Sequence, residues 1–360
     1  MDFSVGSQLR ALPGPILVTG HTGFKGTWLT LLLERLGIET IGFSLIPEDN
    51  SLYNRLNRTS CIPEIIGDIR DETLVSKVFN DHKPSAVIHM AAQPLVLESY
   101  KSPVETFQTN VLGTVNILNA AVNQNSVRSV IAVTTDKVYS NQNLGRRFQE
   151  SDSLMGKDPY SASKVGSEAA ISAWQQISEL KDGPRIVSVR AGNVIGGGDW
   201  SDDRLLPDLI RGFSEGREVT LRNPSNSRPW QHALDPLCGY LYALEASLLG
   251  KNETAYNFGP IEKSLTVKEV ATIASNAWGP GAKFAFDHNY TNSKLESAFL
   301  ELDSSLAIRD LNWEPIWSQE EAIRLTVSWW RRLILEKHQI NELMSEDLLI
   351  PLQRFVARSY

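Results

Sequence analysis

The sequence predicts an α/β protein with a doubly wound parallel sheet and a smaller mixed α/β lobe towards the C-terminus. Short apolar runs alternate with segments of helical periodicity, which is the pattern of repeated βαβ units. Glycine or polar residues follow the ends of the apolar runs, where ligand crevices lie in open α/β sheets. The 360 residues, 42% of them hydrophobic, are enough to form two compact lobes.

Each predicted element follows from a local pattern. The run PILVTG at 15–20 predicts the first strand, and apolar residues at helical spacing predict a helix over 25–36 that ends at Gly37. The same patterns predict strands at 39–45, 85–92, 129–136, 184–196 and 217–223, and helices over 103–122, from Pro159, and over 204–215. The chain thus divides into a lead-in (1–14), a doubly wound part (15–196), a mixed lobe (197–335) and a helical tail (336–360).

The bulk composition excludes several classes of protein. The net charge of −7 argues against a general nucleic-acid binder, because such a surface repels phosphate backbones. No apolar run approaches the roughly 20 residues that cross a bilayer, and residues 1–12 do not resemble a signal peptide. Cys61 and Cys238 are too few for a disulfide framework, and the histidines lack metal-ligand spacing. We therefore expect a cytoplasmic protein with no membrane or nucleic-acid partner and no metal.

A glycine motif lies between the first predicted strand and the first predicted helix: Gly20, Gly23 and Gly26 form G-x-x-G-x-x-G. Glycines let the backbone approach a pyrophosphate closely, and the helix N-terminus presents unpaired N–H groups to it. The strand–loop–helix context indicates a Rossmann-type dinucleotide site rather than a tight turn. The second strand lacks the terminal acid that usually holds the adenosine ribose, since Glu48 and Asp49 come later. The residues therefore leave NAD and NADP both open.

The segment GDIRD at 67–71 lies where a third strand is expected to end. Asp68 there can bond the adenine edge of a dinucleotide. It can equally cap the following helix, since aspartate is a preferred N-cap residue.

Two segments predict a catalytic site. Tyr160 and Lys164 form Y-x-x-x-K at the start of a predicted helix, and the i, i+4 spacing places both side chains on one helix face. An ammonium beside a phenol lowers the phenol pKa from about 10, which makes the tyrosine a usable base near neutral pH. Upstream, VTTDKVYS (133–140) ends a predicted buried strand with hydroxyls and charges, among them Thr134 and Thr135. A surface Tyr–Lys pair and ordinary strand threonines are the alternatives.

Several motifs resemble the extended short-chain dehydrogenase/reductase family: TGHTGFKG, HMAAQP (89–94), NVLGTVNIL (110–118), TTDKVY and PYSASK (159–164). The resemblance runs from about residue 15 to about residue 330. Two stretches closely resemble one branch of that family, the CDP-glucose 4,6-dehydratases: RAGNVIGGGDWSDDRLLPDLI (190–210) and RNPSNSRPWQH (222–232). They are more specific than the glycine loop because they lie in the predicted substrate lobe.

The resemblance implies a reaction and a role for each catalytic residue. Thr135 would hydrogen-bond the 4-hydroxyl of the sugar, Tyr160 would remove its proton, and Lys164 would hold the nicotinamide ribose of NAD. Hydride passes from C4 to the cofactor, the C5 proton is lost as water leaves C6, and the hydride returns to C6. Asp136 would protonate the leaving hydroxyl. Lys137 replaces the glutamate base of related dTDP-glucose dehydratases, so it is either the C5 base or a structural partner of Asp136.

The resemblance also implies the binding residues and the partners. NAD is the implied cofactor, contacted by Gly20, Thr22, Gly23, Phe24, Lys25, Gly26, Asp68, Ile69, Ala91, Ala92, Gln93, Tyr160 and Lys164. CDP-glucose or a similar nucleotide sugar is the implied substrate, contacted by Asn193, Trp200, Arg204, Leu206, Arg222, Arg228 and Trp230. The last two arginines could instead be surface residues, and the tryptophans core residues. A homodimer through helices at 103–122 and 159–178, or a homotetramer, is implied as well.

Two rival functions remain open at this point. The first is an epimerase, or a dehydratase for a dTDP-, UDP- or GDP-linked sugar. Asp136 and Lys137 favour elimination, since an epimerase needs no acid for a C6 hydroxyl. The second is a non-catalytic protein that senses the cofactor on the same scaffold. The intact set of Thr135, Tyr160 and Lys164 argues against it.

Overall fold

The computed structural model describes residues 6–141, 145–202, 204–287 and 300–357. Residues 1–5 of the predicted lead-in and 358–360 of the predicted tail lie outside the described residues. The strands are β1 (Ile16–Thr19), β2 (Thr40–Ser44), β3 (Glu64–Ile66), β4 (Ala86–His89), β5 (Ser129–Val133), β6 (Arg185–Ala191), β7 (Asn193–Ile195), β8 (Val219–Leu221), β9 (Ser227–Arg228), β10 (Trp230–His232), β11 (Ala255–Phe258), β12 (Leu265–Thr266) and β13 (Phe284–Phe286).

The α-helices are α1 (Ser7–Arg10), α2 (Phe24–Arg35), α3 (Leu52–Arg55), α4 (Glu72–His82), α5 (Val96–Lys101), α6 (Pro103–Phe107), α7 (Gly113–Val122), α8 (Pro159–Leu180), α9 (Leu205–Ser214), α10 (Leu234–Leu248), α11 (Val267–Trp278), α12 (Ser305–Leu311), α13 (Gln319–Ile334) and α14 (Ile340–Ala357). A π-helical turn (Gln108–Leu112) joins α6 to α7, so the helix predicted over 103–122 is one continuous helical segment with a widened middle. None of the described helices is both long enough and apolar enough to traverse a bilayer.

The central sheet confirms the predicted fold class. Seven parallel strands lie in the order β3-β2-β1-β4-β5-β6-β11. The strands are apolar on both faces because helices cover both. On one face, Ile16 and Val18 pack in the cluster that contains Trp28 of α2, whereas Leu17 between them packs on the other face with Ile117 of α7.

The strand order reverses between β1 and β4, and a ligand crevice is expected at such a switch point. The loops after these two strands approach each other closely there. A Cβ atom added to Gly20 would lie 2.9 Å from the backbone nitrogen of Ala91. The fold therefore brings the glycine loop and the segment after β4 to the same edge of the sheet.

The part of the chain after residue 196 departs from the predicted division. The predicted strand 184–196 is two strands, because the chain leaves the sheet at Gly192 and β7 pairs with β10 instead. The seventh strand of the sheet, β11, comes from the segment predicted to belong mainly to the second lobe. Small two-stranded pairs, β8 with β13 and β9 with β12, make up the remaining strands of that lobe.

Three consecutive glycines, residues 196–198, form a buried crossing point between β7 and α9. A Cβ atom on Gly197 would lie 2.3 Å from the Trp329 ring, and one on Gly198 would lie 2.4 Å from the Leu52 side chain. The Trp28 indole N–H donates to the Gly197 carbonyl at 3.0 Å. The glycines are required because α2, α3 and α13 meet at this point.

The C-terminal helix α14 packs against α2, α10 and α13. Its Asp347 lies inward, with Oδ2 3.8 Å from Nε2 of the fully buried His232. Because the His232 Nδ1 accepts from the Leu234 N–H, its Nε2 carries the proton. Burial lowers the pKa of His232 to about 3 and raises the pKa of Asp347 to about 7. Between about pH 3 and pH 7 the contact therefore joins two neutral groups and is not an ion pair.

Candidate active site

The turn after β5 carries three of the predicted catalytic side chains. Residues 135–138, here called the catalytic turn, contain a single 3₁₀ turn (Asp136–Val138). The Thr135 hydroxyl donates to Asp136 Oδ1 at 3.0 Å, and Lys137 Nζ lies 3.8 Å from that same oxygen. The other oxygen, Asp136 Oδ2, is buried and accepts no hydrogen bond from the described residues. The turn thus presents one satisfied and one available carboxylate oxygen.

Tyr160 and Lys164 lie on α8, as the Y-x-x-x-K spacing predicts. The helix begins sharply because Asp158 caps it in a capping box with Ser161, and Pro159 occupies its first position. A side-chain hydrogen bond joins Tyr160 to Thr135 of the catalytic turn. Lys164 Nζ donates to the carbonyl of Val133, the last residue of β5, at 3.1 Å. The structure therefore brings the threonine, the tyrosine and the lysine together.

The charge state of Tyr160 differs from the sequence expectation. Burial raises the pKa of Tyr160 to about 12, and the hydrogen bond between Tyr160 and Thr135 offsets only part of that rise. Burial, and then the charge of Lys25, lower the pKa of Lys164 to about 7, so this lysine is only partly protonated near neutral pH. The predicted lowering of the tyrosine pKa does not appear because burial outweighs the interactions that lower it.

A cluster of cations lies between the glycine loop and the start of α9. Burial and the charge of Arg204 lower the pKa of Lys25 to about 8, and Lys25 in turn acts on Lys164. Lys25 Nζ lies 5.7 Å from the ring centroid of Tyr240, a fully buried residue whose hydroxyl has no partner among the described residues. Arg204 is held by Asp199 at 2.9 Å. These neighbouring positive charges favour an anionic ligand.

The glycine loop has the geometry that its motif predicts. Gly20 adopts a left-handed conformation with φ of 77°, and a Cβ atom on Gly26 would lie 2.0 Å from the Gly20 carbonyl oxygen. Gly23 is the N-cap of α2, and Phe24 and Lys25 form the first helical positions. The free N–H groups of this helix end face the crevice edge, where they can bind a phosphate.

The end of β2 carries hydroxyls where an acid is usual. The Thr22 and Ser44 hydroxyl oxygens lie 2.8 Å apart, and Thr22 also donates to the Leu45 carbonyl at 3.2 Å. His21, next to Thr22, is buried and its Nε2 lies 3.0 Å from Glu64 Oε2 on β3. Polar contacts within the protein therefore fix this side of the loop.

Asp68 follows β3 as predicted but does not cap the next helix. The N-cap of α4 is Asp71, which accepts from the Leu74 N–H. The Arg70 guanidinium binds the Asp68 carboxylate through two bonds of 2.6 and 2.9 Å. The N-cap alternative for Asp68 is therefore wrong, and the adenine contact stays a prediction. Ile69 beside it is buried against Gly113.

The segment after β4 contains Ala91, Ala92 and Gln93, all partly buried. The Gln93 N–H donates to Asn110 Oδ1 at 2.8 Å. Asn110 Nδ2 donates to the Gln93 carbonyl and to Ser163 Oγ on α8, at 3.0 and 2.8 Å. Asn110 thus ties this segment to α8.

Two of the predicted substrate residues lie beside the catalytic turn. Asn193 on β7 is paired in register with Trp230 on β10. A Cβ atom on Gly192 would lie 3.0 Å from Asp136 Oδ2 and 3.1 Å from the Pro229 side chain. The indole N–H of Trp230 is buried and has no partner in the described parts of the chain. The strand pair therefore borders the available oxygen of Asp136.

The other predicted substrate residues are more scattered. Arg228 is partly buried on β9 and donates to the Ser227 carbonyl at 2.8 Å, whereas Arg222 is exposed after β8. Leu206 is 1% exposed and packs in the core, so only its backbone is available to a ligand. Trp200 packs against the Trp330 ring at a centroid distance of 4.5 Å, which places it in an aromatic contact with α13.

The sequence analysis missed a buried ion pair behind the catalytic turn. Glu168 on α8 accepts from Arg190 on β6 through two bonds of 2.8 Å. A signal was present, because Glu168 follows Lys164 by four residues and Tyr160 by eight on one helix face. Its partner in β6 gave no such signal. Within the described residues, no cluster of three or more His, Cys, Asp or Glu side chains could hold a metal ion.

Comparison with known proteins gives one matching family and a set of relatives. The model of the NAD dependent epimerase/dehydratase family matches residues 16–259. A CDP-glucose 4,6-dehydratase of Salmonella typhimurium is 39% identical over 346 residues, covering 92% of this chain and 96% of the relative. A dTDP-glucose 4,6-dehydratase of Shigella flexneri is 26% identical over 349 residues, covering 88% of this chain and 92% of the relative.

Solved structures share the fold. A UDP-glucose 4-epimerase of Thermus thermophilus in complex with NAD matches with a TM-score of 0.73 and 27% identity, covering 88% of this chain and 99% of its own. A dTDP-glucose 4,6-dehydratase of Streptomyces venezuelae with NAD bound matches with a TM-score of 0.77 and 24% identity, covering 89% of this chain and 99% of its own. The second likeness bears on the fold alone.

Proposed function

The chain belongs to the NAD dependent epimerase/dehydratase family, and from this premise we propose that it dehydrates CDP-D-glucose to CDP-4-dehydro-6-deoxy-D-glucose. Membership confirms the resemblance found in the sequence. The observation that carries the choice of dehydration is the buried, unpartnered Asp136 Oδ2 beside Thr135 and Tyr160. An acid in that place serves a reaction that expels a hydroxyl, which an epimerase does not do.

The residues present fit NAD as a resident cofactor. Gly20 and Gly26 let the loop pack closely against the Ala91 backbone and against itself, and the start of α2 offers free N–H groups for the pyrophosphate. Lys25 and Lys164 supply positive charge beside it. NAD is chosen over NADP because the family description names it and the Thermus structure was solved with it.

The first chemical step removes the C4 hydrogen as a hydride and the proton of the 4-hydroxyl, which leaves a ketone at C4. When bound, NAD would supply the hydride chemistry, as acceptor of the C4 hydrogen with its electron pair and as donor of that hydrogen to C6. Thr135 orients the 4-hydroxyl, and the Tyr160 phenolate takes its proton. An anion bound beside Lys25 and Arg204 favours the protonated form of Lys164, which in turn favours the phenolate. The buried cations thus couple ligand binding to the activation of the tyrosine.

The second step removes water across C5 and C6. The 4-ketone acidifies the C5 proton, a base takes that proton, and the C6 hydroxyl leaves with a proton from Asp136. The available Oδ2 of Asp136 is the atom we assign to this transfer. The base is Lys137 or a group not on the catalytic turn, and the contact of Lys137 Nζ with Asp136 Oδ1 supports a structural role equally well.

Replacing Lys137 by methionine separates its two possible roles. If Lys137 is the base, Lys137→Met still oxidises C4 but stalls before elimination, so NADH and a 4-ketohexose that has not lost water accumulate. Solvent deuterium then fails to enter C5, as mass spectrometry would record. Dehydration at the wild-type rate would make Lys137 a structural partner only.

Recognition of the nucleotide is proposed for Asn193 together with the part of the chain after residue 196. Asn193 and Arg204 are assigned to the diphosphate, and Arg222 and Arg228 to phosphate or ribose oxygens, because guanidinium groups suit such acceptors. Trp230 is assigned to the pocket wall, where its unpartnered indole N–H can donate. The same role for Trp200 is weakened by its contact with Trp330. Residues 15–196, with β11, then hold the cofactor, and residues 197–335 mainly hold the substrate.

The direct experiment offers the purified protein NAD together with CDP-, dTDP-, UDP- or GDP-glucose. We expect CDP-glucose to give a 4-keto product lighter by one water molecule, with no net change in NAD. A product of unchanged mass would favour an epimerase. Stoichiometric NADH would favour a simple dehydrogenase, turnover of another nucleotide alone would change the substrate, and binding without turnover would favour a cofactor sensor.

A homodimer or homotetramer in the cytoplasm completes the proposal. Support for the dimer comes from exposed apolar side chains on α6 and the π-helical turn, where Val104, Phe107 and Leu112 are 69%, 41% and 55% exposed. A second copy would cover them. The cytoplasmic location rests on the supply of NAD and nucleotide sugars there. Light scattering of wild type and Phe107→Glu tests the dimer.

A further inference from the structure

The catalytic turn is poorly bonded within itself. The Val138 N–H reaches the Thr135 carbonyl at 3.4 Å, and the Tyr139 N–H reaches the Asp136 carbonyl at 3.5 Å. The Lys137 N–H reaches Thr135 Oγ1 at 3.4 Å. These distances exceed the 2.7–3.2 Å range of ordinary N–H···O bonds. The turn therefore depends on other contacts to keep its side chains in place.

Both flanks of the turn are bonded to one buried ion pair. Directly before the turn, the Thr134 hydroxyl donates to Glu168 Oε1 at 2.5 Å. Directly after the turn, Arg190 Nη1 donates to the Tyr139 hydroxyl at 2.8 Å. Glu168 and Arg190 are the two members of the ion pair. The side chains of this pair thus contact both flanks, and backbone bonds reach the flanks as well.

The ion pair is well satisfied and therefore rigid. Glu168 accepts from Thr134, from Ser188 at 2.8 Å and twice from Arg190. Burial would raise the pKa of Glu168, but these hydrogen bonds hold it below the usual range, so the carboxylate stays charged. A buried polar network in which every member is bonded fixes one arrangement of its neighbours.

Tyr139 is fixed from three sides. Its ring is stacked on Phe148 with a centroid distance of 5.1 Å and an angle of 9° between the planes. Its hydroxyl accepts from Arg190 and donates to Asn257 Oδ1 at 2.7 Å. The residue that directly follows the catalytic turn thus cannot shift without breaking buried contacts.

The same ion pair also fixes the position of the catalytic turn relative to α8, the helix that carries Tyr160. Tyr160, Lys164 and Glu168 follow one another at four-residue spacing on α8. A movement of the turn relative to Glu168 is therefore also a movement relative to Tyr160. The side chains of Thr135 and Tyr160, which interact with each other, are the two groups whose relative position this arrangement sets.

We propose that Glu168, Arg190, Thr134 and Tyr139 are positioning residues that hold the catalytic turn at both flanks and fix its distance from Tyr160. The proposal rests on the proposed dehydratase function for its kinetic consequences. None of the four needs to touch the reacting atoms, because each acts through Thr135, Asp136 or Tyr160.

The test removes the hydrogen bond at one flank of the turn at a time and leaves the Glu168–Arg190 ion pair intact. Tyr139→Phe deletes only the hydroxyl and keeps the stack on Phe148, and Thr134→Val deletes only the bond to Glu168. Tyr256→Phe is the matched control, because Tyr256 is a fully buried phenol of β11 that accepts a bond from the Glu253 N–H. The control measures the effect of losing a buried phenol bond away from the turn.

We expect either flank variant to lower kcat about 10-fold to 10²-fold, with KM changed little, since small misplacements of reacting groups have effects of this size. The double variant should lose less than the product of the two single losses, because both bonds restrain one turn. The rate limb that depends on the Tyr160 phenolate should move to higher pH as the Thr135 bond weakens. Tyr256→Phe should change neither kcat nor the pH profile.

A second readout needs no turnover. Amide hydrogen exchange at Lys137 and Val138 should be faster in Tyr139→Phe than in wild type, and unchanged in Tyr256→Phe. Wild-type kcat, pH profile and exchange in both flank variants would overturn the positioning role. A wild-type protein inactive on all four nucleotide sugars would instead overturn the proposed function, and the exchange result would still decide the positioning role.

Discussion

The loop after β1 and the turn after β5 lie at the same edge of one sheet, where only β4 separates the two strands, yet their shapes have opposite causes. The first, residues 20–26, is shaped by missing side chains, since Cβ atoms on Gly20 and Gly26 would collide with backbone. The second, residues 135–138, is shaped by buried side chains that come from β6 and α8. A site shaped by its backbone is encoded in consecutive residues, whereas a site shaped by side chains depends on residues far apart in the chain.

The largest effect expected from this contrast is a fall in kcat that leaves the affinity for NAD nearly unchanged. Tyr160→Phe should lower kcat by about 10² to 10⁴-fold, the usual range for removal of a general base. Its NAD affinity, measured by calorimetry, should stay close to that of wild type. Lys164→Met should weaken NAD binding as well. Full turnover in Tyr160→Phe would mean that the base is another residue.

Breaking the ion pair behind the turn should have the next largest effect, this time on stability. Arg190→Met leaves the Glu168 carboxylate buried without its partner, which costs about 3–5 kcal/mol in comparable pairs. Arg146→Met is the matched control, because the Arg146–Asp152 pair lies at the surface, with the arginine side chain 50% exposed. An exposed pair contributes about 0–1 kcal/mol. Urea unfolding of both variants measures the difference, and equal losses would contradict the buried network.

Substitutions in the glycine loop should, in contrast to Tyr160→Phe, weaken the binding of NAD. Gly26→Ala introduces a Cβ atom 2.0 Å from the Gly20 carbonyl oxygen, whereas Gly23→Ala meets that oxygen only at 3.3 Å. Overpacking of this kind costs about 1–3 kcal/mol. We expect Gly26→Ala to lose NAD affinity together with stability, and Gly23→Ala to lose less of both. Calorimetric binding at matched protein concentration decides, and equal NAD affinity in the two variants would count against a role for the close packing at Gly26.

The smallest predicted effect concerns a buried carboxylate without good partners. Asp347 Oδ2 has no hydrogen bond within the described residues, in contrast to Glu168, and burial raises the pKa of Asp347 to about 7. Because the folded pKa lies above the unfolded value near 4, the folded state holds an extra proton between these two pH values. The free energy of unfolding should therefore fall as pH rises from about 4 to about 7 and level off above that.

Asp347→Asn removes this titration and should make the fall between these two pH values shallower. Asp235, whose pKa burial also raises to about 7, leaves the remainder in place. Urea unfolding across the pH range measures both slopes, with the exposed Asp81→Asn as control. An unchanged slope in Asp347→Asn would show that the carboxylate is better solvated than its burial indicates.

Much of the fold could be predicted because its signals are local. The apolar runs gave most of β1 to β6, and the motif around Gly20, Gly23 and Gly26 gave the loop geometry. Tyr160 and Lys164 could be paired because they share one helix. In each case the necessary residues lie within about two turns of helix or one strand–loop unit.

The remainder could not be predicted because it depends on contacts between distant segments. Nothing near Arg190 indicates that it binds Glu168, and the short run of β11 does not show that it completes the sheet. The pKa of Tyr160 was misjudged for the same reason. Burial and the neighbouring charge of Lys25 determine whether Lys164 can help it, and both follow from packing.

The three glycines at 196–198 have a practical meaning for anyone who cuts or rebuilds the molecule. Such a stretch is usually taken for a pliable linker, a natural place for a protease to cleave or for a tag to be inserted. Here the backbone is buried between Trp28, Trp329 and Leu52, so an enzyme cannot reach it and an inserted residue has no room. This glycine segment therefore does not act as a hinge. An insertion here would separate α2, α3 and α13, which pack against it.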